Sequence, residues 1–223
     1  MYEQLKNKSL FNMDETIARD IFQDVTFPWE VLSLIKDFIP VLGESLSLEE
    51  YEHPEETVWI AKSASIAPTA SISGPCIIGK HTEVRPGAFI RGNAIVGENC
   101  VVGNSTELKN VILFNNVQVP HYNYVGDSIL GYKSHMGAGS ITSNVKSDKT
   151  KVTIRYEEDV IATGLKKMGA ILGNYVEVGC NSVLNPGTVI GSNTNVYPLS
   201  SVRGFIPKGS IYKGEGKVVQ KII

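Results

Sequence analysis

Between Val119 and Gly139 the chain reads VPHYNYVGDSILGYKSHMGAG, and side chains able to do chemistry crowd together there: His121, His135, Tyr122, Tyr124, Tyr132 and Asp127. An imidazole ordinarily titrates near pH ~6.5, so a histidine set beside a protonated nucleophile can take its proton at neutral pH. Upstream stand Arg85 and Lys109, a forked donor and a mobile point charge, which are the two side-chain types that grip phosphate. The three cysteines, Cys76, Cys100 and Cys180, form no CxxC pair, so the spacing of a metal site is missing and none is expected. An odd, dispersed set of thiols points instead to a reducing compartment, the cytoplasm.

Composition narrows the classes. With 42% hydrophobic and 20% charged residues, the 223-residue chain is globular rather than disordered. A net charge of -2 gives no electrostatic reason to bind nucleic acid or an anionic membrane. No apolar run approaches the ~20 residues that span a bilayer. The opening MYEQLKNKSLFNMDET lacks the apolar core of a signal peptide.

The elements that must position the reactive residues show themselves as a period of six. Ile60, Ile66, Ile72, Ile78, Val84, Ile90, Val96, Val102 and Leu108 are all aliphatic, and the residue two places before each from Ile66 onward is small, from Ala64 through Cys76 and Cys100 to Thr106. A shortened step leads to Leu113, then Val119 and Val125; a second gives Leu130 and Met136. The rule returns as Leu172, Val178, Leu184, Ile190, Val196 and Val202. Period six suits neither an amphipathic helix nor one long strand. It suits a parallel β-helix: three short strands per turn, with turns stacked at about 4.8 Å. Small partners fit a narrow interior, which makes Cys76 and Cys100 packing residues. Glycine or asparagine at the corners tolerates positive φ.

The flanks lack the repeat. Residues 1–57 read as a helical cap and linker, with short helices in NMDETIARDIFQ and FPWEVLSLIKDFI that shield the exposed strand edges of the first coil. The coil is expected over 58–205 and a tail over 206–223. Within it, about 142–170 carries too many charges for the interior and should loop out, with a hairpin around TIRYEEDVIA. The lysines of this insertion, Lys146, Lys149, Lys151, Lys166 and Lys167, are solvated surface or phosphate contacts.

Counting in sixes also says where the unusual side chains point. His121 lies two places after Val119 and Tyr124 one before Val125, so neither takes an inward register. Arg85 falls at the corner that His121 shares two coils later, and Lys109 leaves the strand of the coil between. Two coil steps are about 10 Å, close to the span from the amine of an amino sugar to an anomeric phosphate. A base at His121 with cations at Arg85 and Lys109 would bracket such a phosphosugar.

The segments IGKHTEVRPGAFI and STELKNVILFNNVQVPHYNYVGDSILGYKSHMGAGSITSN resemble the acetyltransferase half of bifunctional glucosamine-1-phosphate acetyltransferase/N-acetylglucosamine-1-phosphate uridylyltransferases, members of the hexapeptide-repeat acyltransferase superfamily. The resemblance implies an all-β fold, a left-handed parallel β-helix, assembled as a homotrimer, with acetyl-CoA as acyl donor and a place in UDP-N-acetylglucosamine biosynthesis. Carried residue by residue, it implies His121 as general base, Arg85 and Lys109 on the phosphate, and Tyr124 and Asn144 orienting the sugar. It puts the Ala138 backbone at the thioester and Cys180 near the pantetheine. The chain departs from the pattern at His135, where the family has asparagine, and at Val145, where it has tyrosine. Nothing resembles the glycine-rich opening of the uridylyltransferase half, so nucleotidyl transfer by this chain alone is not expected. Two other readings remain: a non-catalytic β-helix trimer that binds a separate sugar nucleotidyltransferase, and a zinc-dependent γ-type carbonic anhydrase. The second finds only the dispersed His53, His81, His121 and His135 to work with.

Overall fold

The computed structural model describes residues 2–222. Its centre is a three-sided left-handed parallel β-helix. The aliphatic residues of the period of six line the interior: Val84, Ile90, Val96, Val102, Leu108, Leu113, Val119 and Val125 are at most 1% exposed. One face stacks Val58–Ala61, Cys76–Ile78 and Ala94–Val96 in register and, after the insertion, continues through Ala170–Leu172 and Thr188–Ile190 to Phe205–Ile206. A second face stacks Glu83–Val84, Val101–Asn104, Gln118–His121, His135–Met136, Glu177–Val178 and Asn195–Val196. The third holds Ser71–Ile72, Phe89–Ile90, Ile141–Thr142, Val183–Leu184 and Ser201–Val202.

The small inward partners do more than fit. Thr82 Oγ1 donates to the Gly97 carbonyl and accepts from the Cys100 N–H, and Thr106 does the same for Val119 and Asn123. These hydroxyls satisfy corner backbone groups that water cannot reach.

The shortened steps have a structural meaning. Glu107–Leu113 and Tyr124–Leu130 each run unbroken from the third face onto the first, pairing with each other along both halves. Each passes the corner on one residue of positive φ, Asn110 at 56° and Asp127 at 49°. Dropping one residue leaves no room for a loop, and the corner side chain turns onto the neighbouring coils.

The N-terminal segment differs from the expected end cap. It is a strap along one side of the coil. Phe11 and Phe22 close on the fully buried Phe114, with ring centroids 4.8 and 6.0 Å from it. The Leu10 carbonyl accepts from Asn174 N–H and Ser192 Oγ, each at 3.0 Å. The stretch read as a first helix forms short 3-10 turns, Met13–Glu15 and Arg19–Phe22, the former capped by Asn12. Pro28–Ser33 is a further 3-10 turn and Ile35–Glu44 an α-helix, which lies against Cys76–Ile78, Ala94–Val96 and Glu107–Leu113. The end of the coil is closed instead by Tyr51–Glu55, antiparallel to Val58–Ala61.

The insertion leaves after Thr142 and forms the hairpin Thr153–Tyr156 with Asp159–Ala162. Rather than standing clear, it lies back on the coil: Val152 and Ile154 are fully buried and Tyr156 stacks on Phe205 at 5.0 Å. The coil itself runs past residue 205. Asn195–Val196 pairs with Ile211–Tyr212, and Val218–Gln220 closes that end antiparallel to Ser210–Tyr212. Among the described residues no helix is long and apolar enough to cross a membrane.

Two outcomes follow. Ala94→Leu forces extra volume into the interior at a fully buried position and should cost about 1–3 kcal/mol, read as a lower urea midpoint at unchanged slope. Phe11→Ala should cost about 3 kcal/mol by uncovering Phe114, with the coil's far-UV signature retained below the new midpoint.

Candidate active site

One corner of the coil, between the second and third faces, gathers four of the singled-out residues. Glu83–Val84 pairs with Val101–Val102, and His121 pairs with Asn104 of the coil between, so Arg85 and His121 share the corner two coils apart. Gly139 N–H donates to the His121 carbonyl at 3.0 Å, which seats Ala138 on the next coil, and Asn181 N–H donates to the Ala138 carbonyl at 2.8 Å, which seats Cys180 beyond it. Arg85, His121, Ala138 and Cys180 thus form a column parallel to the coil axis. His121 is exposed, as its register predicts.

The corner is held from inside by Asn123, a residue sequence reasoning missed. It is 2% exposed; its Oδ1 accepts from His121 N–H at 3.1 Å and its Nδ2 donates to the Gly137 and Ser140 carbonyls at 2.9 and 3.0 Å. The signal was present, because Asn123 occupies the inward register two before Val125, where the other coils carry a small residue. The strand before it is pressed close: a Cβ on Gly103 would stand 1.6 Å from the Pro120 carbonyl oxygen.

Across the third face lies a second group. Lys109 Nζ donates to Asp127 Oδ1 and Oδ2 at 3.2 and 3.3 Å, Asn110 Nδ2 to Oδ1 at 2.9 Å, and Asn144 Nδ2 to Oδ2. Asn144 Nδ2 also donates to the Tyr124 hydroxyl at 3.2 Å. Lys109 and Asn144 therefore meet on the buried Asp127 carboxylate, and Tyr124 joins them through Asn144; sequence reasoning singled out Asp127 as a reactive type but assigned it no role. Burial, and then the charges of Asp127 and Glu107, raise the Tyr124 phenol above its ordinary pKa, so it stays a neutral O–H.

Arg85 and Lys109 are not a side-by-side pair. They stand at opposite ends of the third face, where the strand from Tyr124 to Gly126 spans about 7 Å. Arg85 contacts Glu83 at 3.0 Å, with both side chains partly in solvent, a pair that contributes little and opens easily. Lys109 is tied to Asp127, whose side chain is 6% exposed.

Below the His121 column, a groove of about 460 Å³ on the second face is lined by His135, Glu177, Cys180, Tyr197 and Pro198. His135 Nδ1 and Glu177 Oε2 are 2.9 Å apart on its rim. A larger cavity, about 600 Å³, lies in the strap among Lys6, Arg19, Phe22 and Val25 and holds none of these residues. Among the described residues no cluster of His, Cys, Asp and Glu is arranged to hold a metal, and His53 stacks on Trp59 at 4.6 Å. The groups that could meet a cosubstrate are the corner backbone at Ala138 and the groove at Cys180.

The sequence profile of the GMPPB C-terminal domain matches residues 72–194, more than half of the chain. The chain belongs to the GMPPB C-terminal domain family. Bifunctional protein GlmU of Methanococcus maripaludis is 34% identical over 203 residues, 90% of this chain and 49% of that protein. The bifunctional sugar-1-phosphate nucleotidylyltransferase/acetyltransferase of Sulfurisphaera tokodaii is 30% identical over 195 residues, 86% of this chain and 49% of its own. The chain thus spans about half the length of the curated relatives it matches. Among solved structures, the acetyltransferase domain of PglB from Neisseria gonorrhoeae in complex with acetyl coenzyme A aligns over 70% of this chain and 53% of that one, at 16% identity and a TM-score of 0.38. The family match covers both halves of the candidate site, from Arg85 to Cys180.

The thiols give a direct check. Burial pushes Cys76 and Cys100 up to about 12, while Cys180 is exposed. Native protein titrated with a disulfide reagent at pH ~8, where an ordinary thiol is partly ionised, should show one fast thiol per chain, lost in Cys180→Ser. The other two should react only after unfolding.

Proposed function

We propose that the chain is an acetyl-CoA-dependent N-acetyltransferase of the hexapeptide-repeat type, acting on an amino-sugar phosphate such as glucosamine-1-phosphate. The observation that carries the reading is the corner column. It turns an exposed imidazole outward between a polar cluster suited to a sugar and a groove suited to a pantetheine arm. The acetyltransferase named in the bifunctional relatives supports it.

In this reading neutral His121 takes a proton from the sugar amine as the nitrogen attacks the thioester carbonyl. The C–N bond forms, the C–S bond breaks, and the imidazolium returns its proton to the departing CoA thiolate. No acyl-cysteine is needed, so Cys180 serves only as groove wall. Ala138 offers backbone contact to the acetyl group. Arg85, free to leave Glu83, holds the phosphate. Lys109, paired with Asp127, acts with Tyr124 and Asn144 on the sugar ring and still carries an N–H for a phosphate or hydroxyl oxygen. We assign the working state as a cytoplasmic homotrimer. Tyr122 and Leu199, 62% and 81% exposed, supply apolar surface along the same corner column for a neighbouring copy.

The test is CoA release from acetyl-CoA and glucosamine-1-phosphate. His121→Ala should lower kcat/KM by about 10²- to 10⁴-fold, with an unchanged melting profile. Cys180→Ser should keep turnover. If wild type releases no CoA over a broad panel of amino sugars and instead captures a sugar nucleotidyltransferase, the scaffold reading replaces this one.

A further inference from the structure

Asp127 is 4% exposed and sits at the tightened corner with φ 49°, where its carboxylate meets Lys109, Asn110 and Asn144. An ionised carboxylate only accepts hydrogen bonds. Asn144 must therefore turn its amide nitrogen inward. One Nδ2 proton goes to Asp127 and the other to the Tyr124 hydroxyl.

Two consequences follow for the outer surface. Asn144 Oδ1 takes no hydrogen bond from any described residue and is not among the buried unpartnered atoms, so it is an open acceptor. Tyr124, accepting from Asn144 and kept protonated, directs its own O–H away as a donor. Asn110 binds the other carboxylate oxygen, its Nδ2 shared between Asp127 and the Leu32 carbonyl, 3.1 Å away. Lys109, bound to Asp127 through one or two N–H groups, retains at least one more.

We infer that Asp127 is a positioning residue that sets the hydrogen-bond polarity of the site. It makes Asn144 accept outward and, through Asn144, turns the Tyr124 hydroxyl into a donor beside the donor-only Lys109, so the face selects a ligand presenting one donor, a hydroxyl or amine, flanked by oxygen acceptors. The assignment rests on the acetyl-transfer reading above for its ligand class, a polyhydroxylated amino sugar. The direction at Asn144 comes from the carboxylate, that at Tyr124 follows from Asn144, and Lys109, which can only donate, is held in place by the same carboxylate.

Asp127→Asn reverses the logic. The new amide nitrogen faces Asn144, which turns its Oδ1 inward and presents a donor where an acceptor stood. Glucosamine-1-phosphate, titrated calorimetrically, should bind about 10- to 100-fold more weakly, while acetyl-CoA affinity stays within about twofold. The swap Asp127→Asn with Asn144→Asp restores an outward acceptor at position 144 and should recover at least about tenfold of that loss. A merely structural carboxylate gives no such rescue. Should Asp127→Asn fail to fold, the swap keeps one carboxylate and one amide facing the same donors and carries the test: affinity near wild type supports the inference, and a loss of tenfold or more overturns it. Turnover by wild type with unchanged sugar affinity in Asp127→Asn, or a swap no tighter than the single variant, overturns the polarity assignment alone. A wild type that binds no amino-sugar phosphate overturns the acetyl-transfer reading and this inference together.

Discussion

The interior of the coil is the constraint from which the rest follows. Each turn stacks on the next through backbone hydrogen bonds, and the space enclosed admits one aliphatic side chain and one small one per strand. A larger or charged side chain has nowhere to go but outward. The scaffold therefore chooses which residues meet solvent before any ligand is considered, and a histidine out of inward register becomes an exposed histidine. Because consecutive coils superpose, residues far apart in the chain come to share a corner, as Arg85, His121, Ala138 and Cys180 do.

Departures from the repeat mark where the surface acquires polar order. The two shortened steps place Asn110 and Asp127 at adjacent corners, and both turn onto neighbouring coils instead of into a loop. Asn123, standing where the other coils carry a small residue, ties the His121 corner to the next coil through its amide. The insertion re-enters at the same place, with Met168 N–H on the Asn144 carbonyl and Gly169 N–H on the Asp127 carbonyl. Buried polar groups of this kind hold their geometry only when every member is satisfied, and here the carboxylate has a donor on each oxygen.

Much of this was legible in the residues. The aliphatic period of six read directly as a coil, and the register of Val119 and Val125 put His121 and Tyr124 outside it. The shortening before Leu113 and Leu130 was visible too, but not its effect. A missing residue says that a corner is tight, whereas the direction of the Asp127 carboxylate depends on Lys109 and Asn144, in the coils on either side of it. The strap was hidden for a related reason. Phe11 and Phe22 find Phe114 across about a hundred residues of sequence, and local pattern shows only that the segment is apolar at intervals. Whether such short pieces become α-helix or 3-10 turns is decided by the surface they pack on.

The central claim is that the corner column aims the imidazole of His121 at the reacting amine. A crystal structure of the protein with CoA and the N-acetylated sugar phosphate tests it most directly. The account predicts the acetamide nitrogen within hydrogen-bond reach of the His121 ring, the acetyl group at the Ala138 backbone and the pantetheine running past Cys180. Ligands seated elsewhere on the coil, with that ring facing bulk water, would contradict it.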